Sequence, residues 1–278
     1  MLKEYSNFFR EASAALERIE DTLVGIQLSD KDDAAQVLAM QALSMSRNHC
    51  RAIALLLEAD LFGESLSVFR SLFELHFDLL WVQSCNCASE RLERVYRLEA
   101  NPYSKMADEA RRIVADANSS TPHTSKEMSD KWKKVVEESV EDYPHLVIKN
   151  PDGTSKFKKA PQLDEKMGDL RIQYYHIYRL ACLFTHPTPM LKQLYLRQVG
   201  NYVTVNEMVG DTLKRTLAHG LLFVEYIARI AIDLLRAHLP QNHNVTDKSL
   251  DDLFQLVERA NDGYFGTPTH KLRQGGLS

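Results

Sequence analysis

Arg179 and His186 stand seven residues apart in Tyr175-His176-Ile177-Tyr178-Arg179-Leu180-Ala181-Cys182-Leu183-Phe184-Thr185-His186-Pro187. That spacing is about two turns of an α-helix, so both side chains project from one face. Pro187 restricts the backbone of His186 and predicts that the helix stops there. A guanidinium and an imidazole at one helix terminus suit anion binding and acid–base chemistry. The guanidinium can hold a phosphate in a forked geometry and stabilise developing negative charge. The imidazole can transfer a proton near neutral pH, and a helix C-terminus favours its protonated form. Together they could cleave RNA without a metal. One group would activate the 2′-hydroxyl or protonate the leaving oxygen, while Arg179 stabilises the phosphorane.

Tyr175 and Cys182 fall within roughly 60° of Arg179 and His186 on the helical wheel. Tyr175 and Tyr178 are the residues that could assist positioning. Arg70 and Glu74, spaced i, i+4 in Val68-Phe69-Arg70-Ser71-Leu72-Phe73-Glu74, form a second constellation. Glu74 would orient Arg179 or His186, or the two would close an ion pair within the helices. An architectural reading competes for Arg179 and His186 as well. In it, Arg179 pairs with a carboxylate on a neighbouring helix and His186 caps carbonyls.

Other chemistries lack their residues. No Glu-x-x-His occurs, so a carboxylate-bridged di-iron site is not expected. Neither Gly-x-x-x-x-Gly-Lys nor Gly-x-Gly-x-x-Gly is present, and there is no Gly-x-Ser-x-Gly elbow. Cys50, Cys85, Cys87 and Cys182 fit neither a zinc site nor a disulfide framework. The chain therefore calls for no metal and no cofactor.

The elements that must position these residues are helices. Of 278 residues, 44% are hydrophobic and 26% charged, with only 11 glycines and 9 prolines. Such a composition favours helix over turn-rich sheet. Apolar periodicity predicts helices over about 2–26, from a cap at Ser29-Asp30 for nearly thirty residues, over 64–84, and over 89–98. Leu61-Phe62-Gly63 is the expected break before the third. Later helices are expected to end near His186, to span about 205–239 after a connector through Pro189 and Gly200, and to cover 249–260. Residues 1–100 and 164–262 thus read as core helices of one domain, an all-α antiparallel bundle.

Residues 101–163 read as a polar insertion. Helices over 105–118 and 125–140 are expected in it, then a loop or small hairpin between Tyr143 and Pro161 around Asn150-Pro151-Asp152-Gly153. Lys131, Lys133 and Lys134 flank Trp132, but Glu137, Glu138, Glu141 and Asp142 dilute that basic patch. Residues 263–278 read as a loose tail. The longest apolar run, 220–235, is interrupted by Glu225, Arg229 and Asp233, expected as a charged ladder, and is too short to span a bilayer. The net charge of −4 excludes an overall basic coat but not a local basic groove. With no signal-peptide pattern at the N-terminus, a cytoplasmic location without membrane attachment is expected.

The Arg70-x-x-x-Glu74 helix and the Tyr178-Arg179…His186-Pro187 segment resemble a large, uncharacterised family of bacterial helical proteins. The resemblance runs over roughly residues 35–235, outside the insertion. More distantly, Arg179 and His186 resemble the Arg-x(4–6)-His signature of HEPN domains. These are helical bundles that often dimerise, and many cleave RNA in toxin, antiphage or RNA-processing systems. The resemblance implies a homodimer and a metal-independent ribonuclease or RNA-binding protein, with Arg179 on phosphate and His186 as acid or base. Leu180 departs from it, because the HEPN nucleases commonly carry a polar residue after that arginine. The competing class is a non-enzymatic interaction protein whose Arg/Glu/His network fixes helix packing.

Overall fold

The computed structural model describes residues 3–28, 33–85, 87–99, 102, 144–149, 151, 155–158, 160–185, 196–199, 202–205, 208–239 and 244–261. Helices dominate: α1 (Lys3–Thr22), α2 (Ala34–Glu58), α3 (Phe62–Gln83) and α4 (88–99) come first. A hairpin follows, β1 (Val147–Lys149) with β2 (Ser155–Phe157), then α5 (Leu163–Met167) and α6 (Arg171–Thr185). A second hairpin, β3 (Leu196–Val199) with β4 (Tyr202–Val205), precedes α7 (Met208–Leu235) and α8 (Asn244–Asn261). The fold is all-α, helices packed as a bundle, with two small hairpins among the described residues. Contacts divide it into two compact units, Met1–Leu80 with Lys166–Ser278, and Trp81–Glu165.

In the first unit, α1 is anchored on both sides. Phe9, Ala12, Leu16 and Ile19 recur at helical spacing and are fully buried. Polar pairs flank that stripe. Against α2 they run from Ser6–Glu58 through Arg51–Glu17 to Arg47–Glu20, and against α8 from Arg259–Glu11 to Thr22–Thr246. Partner numbers fall as α1 numbers rise, so α1 is antiparallel to both neighbours. Across the core, Phe69 lies against Gly220 while His76 stacks on Tyr226, so α3 and α7 run in the same sense.

The break after α2 differs from expectation. Asp60 adopts φ 57°, Leu61 N–H donates to Leu56 at 2.8 Å, and Asp60 N–H donates to Leu57 at 3.3 Å. This is a Schellman stop, built on an aspartate because its short polar side chain tolerates the left-handed region. Phe62 and Gly63 already belong to α3. The start of α2 is also displaced: Asp33, without a side-chain capping bond, occupies the cap position rather than Ser29-Asp30.

The connector before α7 contains a hairpin. Leu196–Val199 pairs antiparallel with Tyr202–Val205, bringing Val199 opposite Tyr202. In the sequence, Val199 before Gly200-Asn201 and Val203, Thr204 and Val205 after it are a hairpin signal. α7 accordingly starts at Met208 rather than near Val205. On α7, Glu225 is buried and paired with Arg229, whereas Asp233 pairs with Arg236 at 2.7 Å. The expected ladder therefore stops after its first rung.

In the second unit, β1 and β2 form the small hairpin expected between Tyr143 and Pro161, with Val147 opposite Phe157. The guanidinium carbons of Arg94 and Arg97 each lie 5.3 Å from the Trp81 ring. Arg94 also pairs with Glu90, and Lys158 with Glu93. The helices expected over 105–118 and 125–140, Trp132 with its lysines, and the 263–278 tail lie outside the described residues. Among the described residues, no helix is long and apolar enough to cross a membrane.

Candidate anion site on helix α6

Helix α6 is amphipathic with a three- and four-residue rhythm. Tyr174, Ile177 and Ala181 are buried, while Arg171, Tyr175 and Arg179 are exposed and Tyr178 and Cys182 half-buried. The buried side packs into an aromatic cluster. The Tyr174 ring sits 5.4 Å from Phe223 of α7 and 6.0 Å from Phe77 of α3. Tyr178 lies 5.1 Å from Phe73. These contacts fix which way the polar side of α6 faces.

The structure brings Arg70, Glu74 and Tyr178 together. Arg70 Nε donates to Glu74 Oε1 at 2.9 Å, and the Tyr178 hydroxyl donates to the same oxygen at 3.0 Å. The Arg70 guanidinium carbon also lies 5.5 Å from the centre of the Tyr178 ring. Burial works against the Arg70 charge, but the hydrogen bond and charge of Glu74 outweigh it and raise its pKa. Burial, then the Cys182 hydrogen bond and the Glu74 charge, hold the Tyr178 phenol above the ordinary tyrosine range. Tyr178 therefore stays protonated and acts as a donor.

Arg179 belongs to a different group. Its guanidinium carbon lies 5.7 Å from the centre of the Tyr175 ring, and that of Arg171 lies 5.4 Å from the same ring. Among the described residues no hydrogen bond or ion pair joins Arg179 to Glu74 or to any other carboxylate. His186, seven positions after Arg179, lies outside the described residues; α6 reaches Thr185, the residue before it. An arginine such as Arg179, resting on an exposed ring, has the chemistry to hold an anion. The Arg70–Glu74–Tyr178 group, with its charges already matched, instead ties α3 to α6.

Two residues escaped the sequence reading. Arg171 repeats the Arg179–Tyr175 spacing in the opposite direction, so an Arg-x-x-x-Tyr-x-x-x-Arg pattern was there to be read at i, i+4. His76 is buried against Phe77, Phe223 and Tyr226 at 4.8, 5.1 and 5.5 Å. Its Nδ1 has no hydrogen-bond partner among the described residues, and burial lowers its pKa to about 3. Nothing in a one-dimensional pattern distinguishes such a histidine from a solvated one. Among the described residues, no group of three or more His, Cys, Asp or Glu is placed to hold a metal.

No curated protein and no solved structure matches this chain. A family of unknown function, DUF5677, matches residues 36–201, a stretch that includes all of α3 and α6. That match spans more than half of the 278 residues, and the chain belongs to the DUF5677 family.

Proposed function

We propose that this protein is a HEPN-like, metal-independent ribonuclease that uses Arg179 to bind and stabilise phosphate and His186 as acid or base. The observation that carries the reading is the state of Arg179. Its side chain is exposed, rests on Tyr175 and has no carboxylate partner among the described residues. A guanidinium kept in that state is ready for an incoming anion. Cleavage would be a transesterification. The 2′-oxygen bonds to phosphorus as its proton leaves, and the P–O5′ bond breaks as the 5′-oxygen gains a proton. The products are a 2′,3′-cyclic phosphate and a 5′-hydroxyl, with His186 handling one of the two protons. Arg70, Glu74 and Tyr178 support the site by holding α6 against α3. A homodimer would pair two such sites across a two-fold axis.

The test is incubation of total cellular RNA, with EDTA present, with wild-type protein and with His186→Ala of equal melting temperature. Fragments ending in cyclic phosphate from the wild type alone are the expected result. Intact RNA in both samples moves the assignment to a non-enzymatic binding or scaffold protein. The network between Arg70, Glu74 and Tyr178 favours that second reading for those three residues, since it links two helices without leaving a free charge.

A further inference from the structure

Independently of the reading of α6, we propose that Cys85 and Cys87 form a dithiol pair that hydrogen peroxide converts to a reversible disulfide, uncapping helix α4. Of the four cysteines, Cys50 and Cys85 are buried, Cys182 is half-buried and Cys87 is exposed. Cys87 is the residue before α4, and its carbonyl accepts from Arg91 N–H at 3.1 Å, the first bond of that helix. Its sulfur lies 3.3 Å from the Ser89 hydroxyl oxygen and accepts from the backbone N–H of Glu90. Those two bonds, that of Ser89 first, outweigh the neighbouring Glu90 charge and hold the Cys87 thiol below its ordinary range. The exposed sulfur is therefore the one that peroxide meets in its reactive, thiolate form.

Cys85 supplies the second sulfur. Inside a helix, side chains two residues apart point about 200° from one another. Both cysteines lie between the end of α3 at Gln83 and the start of α4, so neither is held in that way. Two chain steps span at most about 7 Å, and a disulfide needs Cα atoms about 4.4–6.8 Å apart. A slightly bent chain meets that requirement. Burial shields the Cys85 thiol, which donates to the Val82 carbonyl at 2.8 Å, so peroxide reaches Cys87 first. The Cys87 sulfur bonds to one peroxide oxygen as the O–O bond breaks, and the other oxygen leaves as water after taking a proton. The Cys85 sulfur, losing its proton, then bonds to the Cys87 sulfur as the S–O bond breaks, and a second water leaves. Two thiols are oxidised and one peroxide is reduced, and an added thiol reverses the change. Both sulfurs give up their present partners, so the Glu90 N–H loses its acceptor at the first turn of α4.

The experiment treats the reduced full-length protein with a small excess of hydrogen peroxide, alkylates the remaining thiols after unfolding, and maps the peptides by mass spectrometry. The expected result is one peptide carrying Cys85 and Cys87 joined, unalkylated and restored by dithiothreitol. Cys50 and Cys182 are expected to react at least about tenfold more slowly, because burial shields a thiol. Cys85→Ser is expected to stop at the sulfenic acid, so that dimedone labels Cys87. Amide hydrogen exchange on the wild type needs no variant: at Ser89, Glu90 and Arg91 it should be at least about threefold faster after oxidation, and reversibly so. Alkylation of both cysteines after peroxide overturns the pair, as does a disulfide from Cys87 to a second molecule. Unchanged exchange at the start of α4 in the oxidised protein overturns the uncapping. None of these outcomes bears on Arg179 or His186, so the ribonuclease reading stands or falls separately.

Discussion

Tyr178 on α6 donates a hydrogen bond to Glu74 on α3, and the oxygen that accepts it also accepts from Arg70. One carboxylate oxygen thereby serves two donors and connects the helices at a half-buried position. The rotational setting of α6 depends on this link and on the aromatic packing beside it. That setting decides that Arg171 and Arg179 face outward. Tyr178→Phe keeps the ring against Phe73 and removes the hydroxyl that serves Glu74 and Cys182, so it is expected to cost about 1 kcal/mol, a charged hydrogen bond discounted for partial exposure. A double-mutant cycle with Glu74→Gln, followed by chemical denaturation, should return a coupling of similar size. Additive effects would mean that the two residues do not interact in solution.

His76 makes stability depend on pH. Its ordinary pKa of 6.5 falls to about 3 in the folded protein because of burial among three rings. Between those values the unfolded chain holds the extra proton, so stability is complete above about pH 6.5 and declines as the solution is acidified. The decline attributable to this group approaches 1.4 kcal/mol per pH unit at its steepest, by the usual conversion. His49, whose pKa burial also lowers, contributes in the same direction. Comparison with His76→Phe isolates the single group, because His49 titrates in both proteins. The variant should lose less stability than wild type between pH 7 and pH 4.5, and parallel losses would show that His76 is not buried neutral.

Gly220 lets α7 approach its neighbours. A Cβ placed there would lie 2.9 Å from Cδ2 of Phe69 and 3.2 Å from Cζ of Phe9, both rings being buried. Neither ring has room to swing aside in a packed interior. Gly220→Ala should therefore destabilise the protein by about 1–2 kcal/mol despite the better helix propensity of alanine. Thermal unfolding decides the matter: an unchanged or higher Tm would mean that the core yields at this point.

Much of this architecture is legible in the chain because helical periodicity is long-range and redundant. Phe8, Phe9, Leu16 and Ile19 declare α1 several times over, as Leu66, Phe69, Leu72 and Phe73 declare α3. Boundaries fared worse, since each turns on one or two residues. Asp60 ends α2 through a backbone conformation that its identity permits but does not demand, and the β3–β4 hairpin lies inside a stretch that reads as connector. For the site, the sequence places Tyr175, Tyr178 and Arg179 on one helix, and Arg70 and Glu74 on another. Which of them meet is a tertiary matter. Glu74 meets Tyr178 and Arg70, Arg179 meets Tyr175, and the spacing of Arg179 and His186 alone indicates none of it.

Under the proposed function Arg179 is a binding group rather than a brace. The decisive measurement is the melting temperature of Arg179→Ala together with its affinity for RNA, determined on the same preparation. Removal of an exposed side chain should change stability by no more than about 0.5 kcal/mol, while loss of its phosphate contact should weaken RNA binding at least about tenfold. A loss of about 3–5 kcal/mol, the cost of breaking a buried ion pair, with RNA affinity unchanged would contradict the account and make Arg179 part of the scaffold.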